Sequence, residues 1–286
     1  MEPIILALLS ALFFGFNIIL VKMGMNRNPN PWNAILTFSS AAFVLWLFVL
    51  FVDSAMPSLL AALLFAVAGI MAPGVSSILN FESVRRAGIS ITTSLVGTAP
   101  LFATVLAIAL LKERINAEIA FGTLLIVSGI ALLSWFRPKA HVQLSDLILP
   151  LVAALFIGVA SVISKFGLNI SNVPFSGIAI AVTAGVASQL AVIVSRKKIG
   201  AISRGFHEAK YFVASGIFAG FALASLFVAL SKGNLVVVFP IANTQPLFAI
   251  FFSWLLLRKH DHIGMHTIIG ALAIVAGASL VTFGAS

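Results

Sequence analysis

Around residue 240 the chain reads PIANTQPLF (240–248), inside a largely apolar run from Leu235 to Leu257. Asn243, Thr244 and Gln245 bring two carboxamides and a hydroxyl together, with Pro240 and Pro246 on either side. Pro246 has no N–H, and its ring clashes with the carbonyl of residue 242, so backbone acceptors beside Asn243 lose their helical partners. In hydrocarbon such groups are tolerated only where they face protein or a wet cavity. The chemistry on offer is noncovalent: hydrogen bonds to a solute held at a helix kink. The competing reading is that the amides stitch this helix to a neighbour.

A second stretch, SLVGTAPLF (94–102), carries Thr98 and Pro100 at the spacing of Thr244 and Pro246, with Gly97 where Asn243 stands. Thr92, Thr93 and Ser94 lie one turn earlier, and such hydroxyls commonly bond carbonyls of their own helix. Asn17 follows Gly15, as Ser161 and Ser164 follow Gly158; small residues let helices approach closely, and Asn17 fits either a site or a packing contact. Pro73-Gly74 breaks another apolar run that ends in NFESVRR (80–86). There Glu82 is a candidate proton-coupling carboxylate, or the partner of Arg85 and Arg86 in a helix-end ion pair. Arg85 or Arg86 is in turn a candidate contact for an anionic group. Thr183, Ser188 and Gln189 share one later span, and a peripheral place for that span puts Gln189 near the membrane interface.

Other chemistries find no support. There is no cysteine, which removes thiolate catalysis and Cys-ligated metal. His260, His262 and His266 do not share one helix face, so no metal site is expected. No Gly-rich phosphate loop of the Walker type is present, and no Ser, His and Asp converge as a triad. No enzyme activity, nucleotide-driven step or cofactor is expected.

These side chains must be positioned by membrane helices. Of 286 residues, 61% are hydrophobic and 9% charged, whereas a soluble domain is about a quarter charged; the bilayer is the expected solvent. Apolar runs predict ten spans, at 3–22, 33–52, 58–80, 88–111, 116–136, 146–166, 175–195, 209–230, 234–257 and 264–284. The N-terminus reads as a retained first span and not as a cleaved leader. The net charge of +9 reflects basic loops facing anionic headgroups, and nucleic acid is not an expected partner.

The chain repeats itself. ALFFGFNIILVKMGMN (11–26) matches ALFIGVASVISKFGLN (154–169), TAPLFATVLAIALLKE (98–113) matches TQPLFAIFFSWLLLRK (244–259), and Gly122 and Gly129 match Gly270 and Gly277. Two units follow, 1–143 and 144–286, of five helices each. Five is odd, so the units enter the membrane in opposite senses. The predicted fold is an all-α polytopic membrane protein of ten transmembrane helices in two inverted five-helix repeats, an arrangement typical of transporters with a midplane site. The alternatives to a transporter are a non-transporting polytopic scaffold or a lipid-handling protein.

The helix 1 stretch FFGFNIILVKMG, the stretch SLVGTAPLFATVLAIALLKE and the paired glycines of FGTLLIVSGIAL resemble the drug/metabolite transporter superfamily, EamA-type ten-helix branch, across essentially the whole chain. The resemblance implies secondary transport of small metabolites, often as efflux, across an inner or organellar membrane, here expected to be a bacterial plasma membrane. It also implies a central cavity lined mainly by helices 1, 3, 4, 6, 8 and 9, with helices 5 and 10 peripheral. Glu113 after helix 4 fits the family pattern; the matching second-half position holds Lys259 or His260. The expected site is Asn17, Thr98, Asn243, Thr244 and Gln245, around kinks at Pro73, Pro100, Pro240 and Pro246. It is polar yet nearly uncharged, which favours neutral, zwitterionic or amphipathic solutes, with protons as a candidate coupling ion through Glu82. The loops after helices 1, 3, 5, 7 and 9 hold 13 of the 17 Lys and Arg residues. The positive-inside rule therefore places both termini outside, whereas the resemblance implies both inside.

Overall fold

A computed structural model describes residues 1–28, 30–133, 144–202, 206–257 and 265–285. In hydrocarbon every backbone N–H and C=O must pair within its own segment, and long apolar runs accordingly become helices. They are α1 (Glu2–Arg27), α2 (Ala34–Phe51), α3 (Leu59–Ala87), α4 (Ile89–Val96, Ala99–Leu106 and Ala107–Leu111), α5 (Ala117–Leu133), α6 (Leu144–Ile170), α7 (Pro174–Ser195), α8 (Phe206–Lys232), α9 (Leu235–Ala242 and Gln245–Leu257) and α10 (Met265–Gly284). Among the described residues nine are long and apolar enough to cross a bilayer; α5, described over 17 residues, is the shorter tenth. Phe43, Leu63, Phe121, Trp254 and Leu272 are exposed on outward faces, where lipid takes the place of water.

Several helices outrun the expected spans. α3 continues through NFESVRR to Ala87, and α4 starts at Ile89. Only Gly88 separates them, with φ of 89°, a conformation that a side chain would strain. α6 extends to Ile170 and α8 to Lys232.

The two repeats interleave. α1 packs on α8 and on the second segment of α9; α6 packs in the same way on α3 and on the second segment of α4. Glycines make these approaches possible. A Cβ on Gly15 would lie 2.5 Å from Phe248 Cβ, and one on Gly158 would lie 2.8 Å from Phe102 Cβ. Gly24 sits against the ring of Phe212 and Gly167 against that of Phe65, both rings being fully buried. Each contact thus recurs with the halves exchanged. Polar bonds add to the first interface: Ser10 Oγ donates to Ala222 O (2.8 Å), and Asn17 Nδ2 donates to Ser215 O (2.9 Å). The repeats are therefore units of sequence whose helices do not pack as two separate bodies, so motion of one half against the other as a block does not describe this packing.

α5 and α10 run antiparallel, mostly against each other. Gly122 faces the carbonyl of Gly277, and Gly129 that of Gly270. Small residues on both sides bring the backbones together where no hydrophobic effect drives association.

Candidate functional site

The two proline stretches fold alike. In α4, Thr98 N and Thr98 Oγ1 both donate to Leu95 O (3.1 and 2.6 Å), and Leu101 N donates to Thr98 O (2.9 Å). In α9, Thr244 N and Oγ1 both donate to Ile241 O (3.1 and 2.8 Å), and Leu247 N donates to Thr244 O (3.0 Å). Pro100 and Pro246 cannot continue an i−4 ladder; a tight threonine turn replaces it, and each helix restarts on the far side. Pro240 lies within the first segment of α9 and leaves it helical.

α3 bends by a different device. Around Pro73 the backbone widens into a π-helical stretch, Ile70–Ser76, a common form of helix irregularity at functional sites. Pro73 O accepts from Ser77 Oγ (2.6 Å) and from Gln189 Nε2 of α7, and Gln189 Nε2 also reaches Ser77 Oγ (2.8 Å). Gln189 is 1% exposed. Its expected place near the membrane interface is corrected: it is a buried brace for the α3 bend.

Between the kinks lies a cavity of about 360 Å³. Its walls come mainly from α1, α3, α4, α6, α8 and α9, with Phe38 of α2, Ile130 of α5 and three residues of α7 completing them. Asn17, Asn243, Gln245, Pro73 and Pro246 line it, near the middle of their helices. Asn17 both lines the cavity and bonds α8, combining its two expected roles. Asn243 Nδ2 donates to Phe239 O (2.8 Å). Among the described residues, the Gln245 side chain has no hydrogen-bond partner, although it faces the cavity.

Thr98 and Thr244 do not line the cavity. Their hydroxyls donate to their own backbone, as happens to many helical threonines, so their role here is to build the turn. Pro100 is buried, with Thr98 beside it. Glu82 and Arg85 also stand off the cavity: Arg85 Nε donates to Glu82 Oε2 (2.8 Å), Arg86 Nε donates to Glu82 Oε1 (2.7 Å), and both arginines are about half exposed. The helix-end ion pair, not a cavity carboxylate, describes them.

Two lining groups fall outside the expected site, although the sequence already picks out Ser164 after Gly158. Asn80 and Ser164 face the cavity, and neither side chain has a partner among the described residues. Asn80 sits in NFESVRR, where the cluster of charges looks like a helix end. Its signal was its register, two turns on from Pro73 along a helix that continues to Ala87.

At the end of the molecule that carries both termini, a polar junction joins α8 and α9 next to the cavity-lining Leu230. The Glu113 carboxylate accepts from Leu235 N and Val236 N (both 2.9 Å), the first amides of α9. Lys165 Nζ donates to Leu230 O (2.6 Å) and Gly233 O (2.8 Å), at the end of α8. An anion at a helix N-terminus and a cation at a C-terminus both complement the helix dipole. Nearby, Lys232 pairs with Glu2, and Asn116 Nδ2 donates to Gly284 O (2.8 Å). The first-half counterpart of Lys165 is Lys22, whereas the counterpart of Glu113 is Lys259, which lies outside the described residues. His260 and His262 lie outside them too. Among the described residues no three His, Cys, Asp or Glu side chains group as a metal site.

Comparison with known proteins agrees with this architecture. The sequence model of the EamA-like transporter family matches residues 1–135 and again 144–283. A solved structure, titled only as the crystal structure of a protein, superposes with a TM-score of 0.81 over 99% of this chain and 97% of that one, at 16% identity; it speaks for the fold. A search of curated proteins returned no significant match. With the family model matched in both halves, the chain belongs to the EamA-like transporter family, within the drug/metabolite transporter superfamily.

Proposed function

We propose that the protein is a secondary transporter, working as an exporter of small metabolites, in which the cavity between the α4 and α9 kinks opens alternately to the two sides of a bacterial plasma membrane. The observation that carries this reading is a cavity near the middle of the spans, bounded by two pseudo-symmetric kinks and bearing unpartnered polar groups. Such sites at the meeting of inverted repeats are where transporters hold their solutes. On this reading the moving parts are α1, α8 and the second segment of α9 on one side, and α3, α6 and the second segment of α4 on the other, a grouping that the interleaved packing supports. Asn17, Asn243 and Gln245 hold the solute, and the prolines let each helix bend without breaking a ladder that would otherwise resist.

The test compares metabolite pools of cells with and without the protein, then follows the responsive metabolite in vesicles. Gln245→Leu or Asn243→Leu should abolish its movement while leaving the protein folded. Unchanged transport in both variants would remove this site from the proposal.

A further inference from the structure

The charge of the cargo can be read from the bonds that the cavity lining has left unmade. No Lys, Arg, His, Asp or Glu lines the cavity among the described residues. Of the polar groups that do, the hydroxyls of Ser76, Ser77 and Ser161 already donate to backbone carbonyls. Asn17 and Asn243 each use the amide nitrogen on a carbonyl, which leaves the carboxamide oxygen without a bond. Gln245, Asn80 and Ser164 keep all their side-chain capacity. The free inventory is therefore amide and hydroxyl, and it includes the Asn17 and Asn243 oxygens as acceptors. The rest of the wall is apolar and includes the rings of Phe14, Phe38, Phe227 and Phe239.

Physical chemistry separates the solutes that such a lining can hold. An ion taken out of water without a counter-ion costs several kcal/mol even after relaxation, and each hydrogen bond to a charged group returns only about 1.5–3 kcal/mol of it. Among the described residues, none of the lining groups supplies the counter-charge that a carboxylate, phosphate or ammonium would need. They do match the edge of an uncharged molecule, whose own polar groups need only one partner each. The charges nearest the cavity are tied elsewhere: Lys165 to two carbonyls, Glu113 to two amides, and Glu82 to two arginines.

We infer that the solute is uncharged: a compact molecule with an apolar, ring-sized body and an edge of carboxamide or comparable N–H and C=O groups. The volume, at the small end of the range for ligand pockets (about 300–1,000 Å³), holds one such ring and its substituent. Gln245, Asn243 and Asn80 are the residues that select it. This inference rests on the transport reading and adds the class of cargo.

The test uses one skeleton in four charge states: phenylacetamide, phenylacetate, phenethylamine and phenylalanine. Each is titrated against the purified full chain, with thermal stabilisation as the readout. Phenylacetamide should stabilise with a half-saturating concentration at least about tenfold below the three charged probes, a difference of about 1.4 kcal/mol. The effect should vanish in Gln245→Leu and in Asn243→Leu; Asn80→Ala serves if either melts early without ligand. A charged probe that binds as tightly as the amide overturns the inference. So does no stabilisation by phenylacetamide, or stabilisation unchanged in the folded variants. Binding of a charged probe that Gln245→Leu abolishes would remove the uncharged class and leave the transport reading standing. Metabolite pools that do not respond to the protein would remove the transport reading instead.

Discussion

Removing the Glu113 carboxylate should loosen one end of the cavity selectively. In the structure its two oxygens accept from Leu235 N and Val236 N at 2.9 Å, and the Lys165 ammonium holds carbonyls of the preceding turn. A hydrogen bond to a charged group contributes about 1.5–3 kcal/mol. The two share one carboxylate and are not additive, so Glu113→Ala is expected to weaken closure at the termini end by about 3 kcal/mol. At 1.4 kcal/mol per tenfold, the population open to that side rises about 100-fold. Glu113→Gln keeps one acceptor and sets an N–H against an N–H, so it should fall between. The chain has no cysteine, so a single introduced thiol reports without background. Ser164→Cys lies in the cavity towards the termini end, and Asn80→Cys towards the opposite end. A membrane-impermeant thiol reagent added to the termini side should label Ser164→Cys up to about 100-fold faster in the Glu113→Ala background. Labelling of Asn80→Cys from the opposite side should stay level or slow. Equal rates for Ser164→Cys with and without Glu113, in protein that melts as a single species, would refute the idea that this junction closes the cavity.

Glu82→Gln should leave transport within about twofold of wild type and stability within about 1 kcal/mol, as for other exposed pairs; loss of transport would return Glu82 to the coupling machinery. Gly122→Leu places a side chain where a Cβ already lies 2.6 Å from Gly277 O and should cost at least the 1–3 kcal/mol typical of overpacking, read as a lower melting temperature; an unchanged melt would mean that α5 and α10 separate freely. With 13 of 17 Lys and Arg on one side, a reporter fused after Ser286 should be active only outside the cytoplasm, and activity only in the cytoplasm would reverse that orientation.

What could be read in the sequence follows the range of the physics that sets it. Spans and repeat are local: apolar runs mark helices, whereas proline alone is a weaker mark, since Pro100 and Pro246 break their helices and Pro240 does not. The full length of α3 is hard to read because Glu82, Arg85 and Arg86 look like a helix end near residue 80, yet a helix can carry charges past the hydrocarbon edge, and Asn80 lies within it. Thr98 and Thr244 pointed to the right turn with the wrong role, since a hydroxyl three residues from a free carbonyl bonds it before any solute. Gln189 was out of reach for another reason. Its partners, Pro73 and Ser77, lie more than a hundred residues away, and nothing in the local pattern names a partner at that distance.

The interleaving of the halves also sets a timetable. Ser10 bonds a carbonyl 212 residues further along the chain. Synthesis at about 5–20 residues per second puts about 10–40 s between the emergence of the two partners. For that interval α1 sits in the membrane with Ser10, Gly15 and Asn17 facing whatever the insertion machinery provides, because α8 and α9 do not yet exist. The nascent first half is thus an intermediate whose small-residue α1 face waits for partners that only the second half supplies.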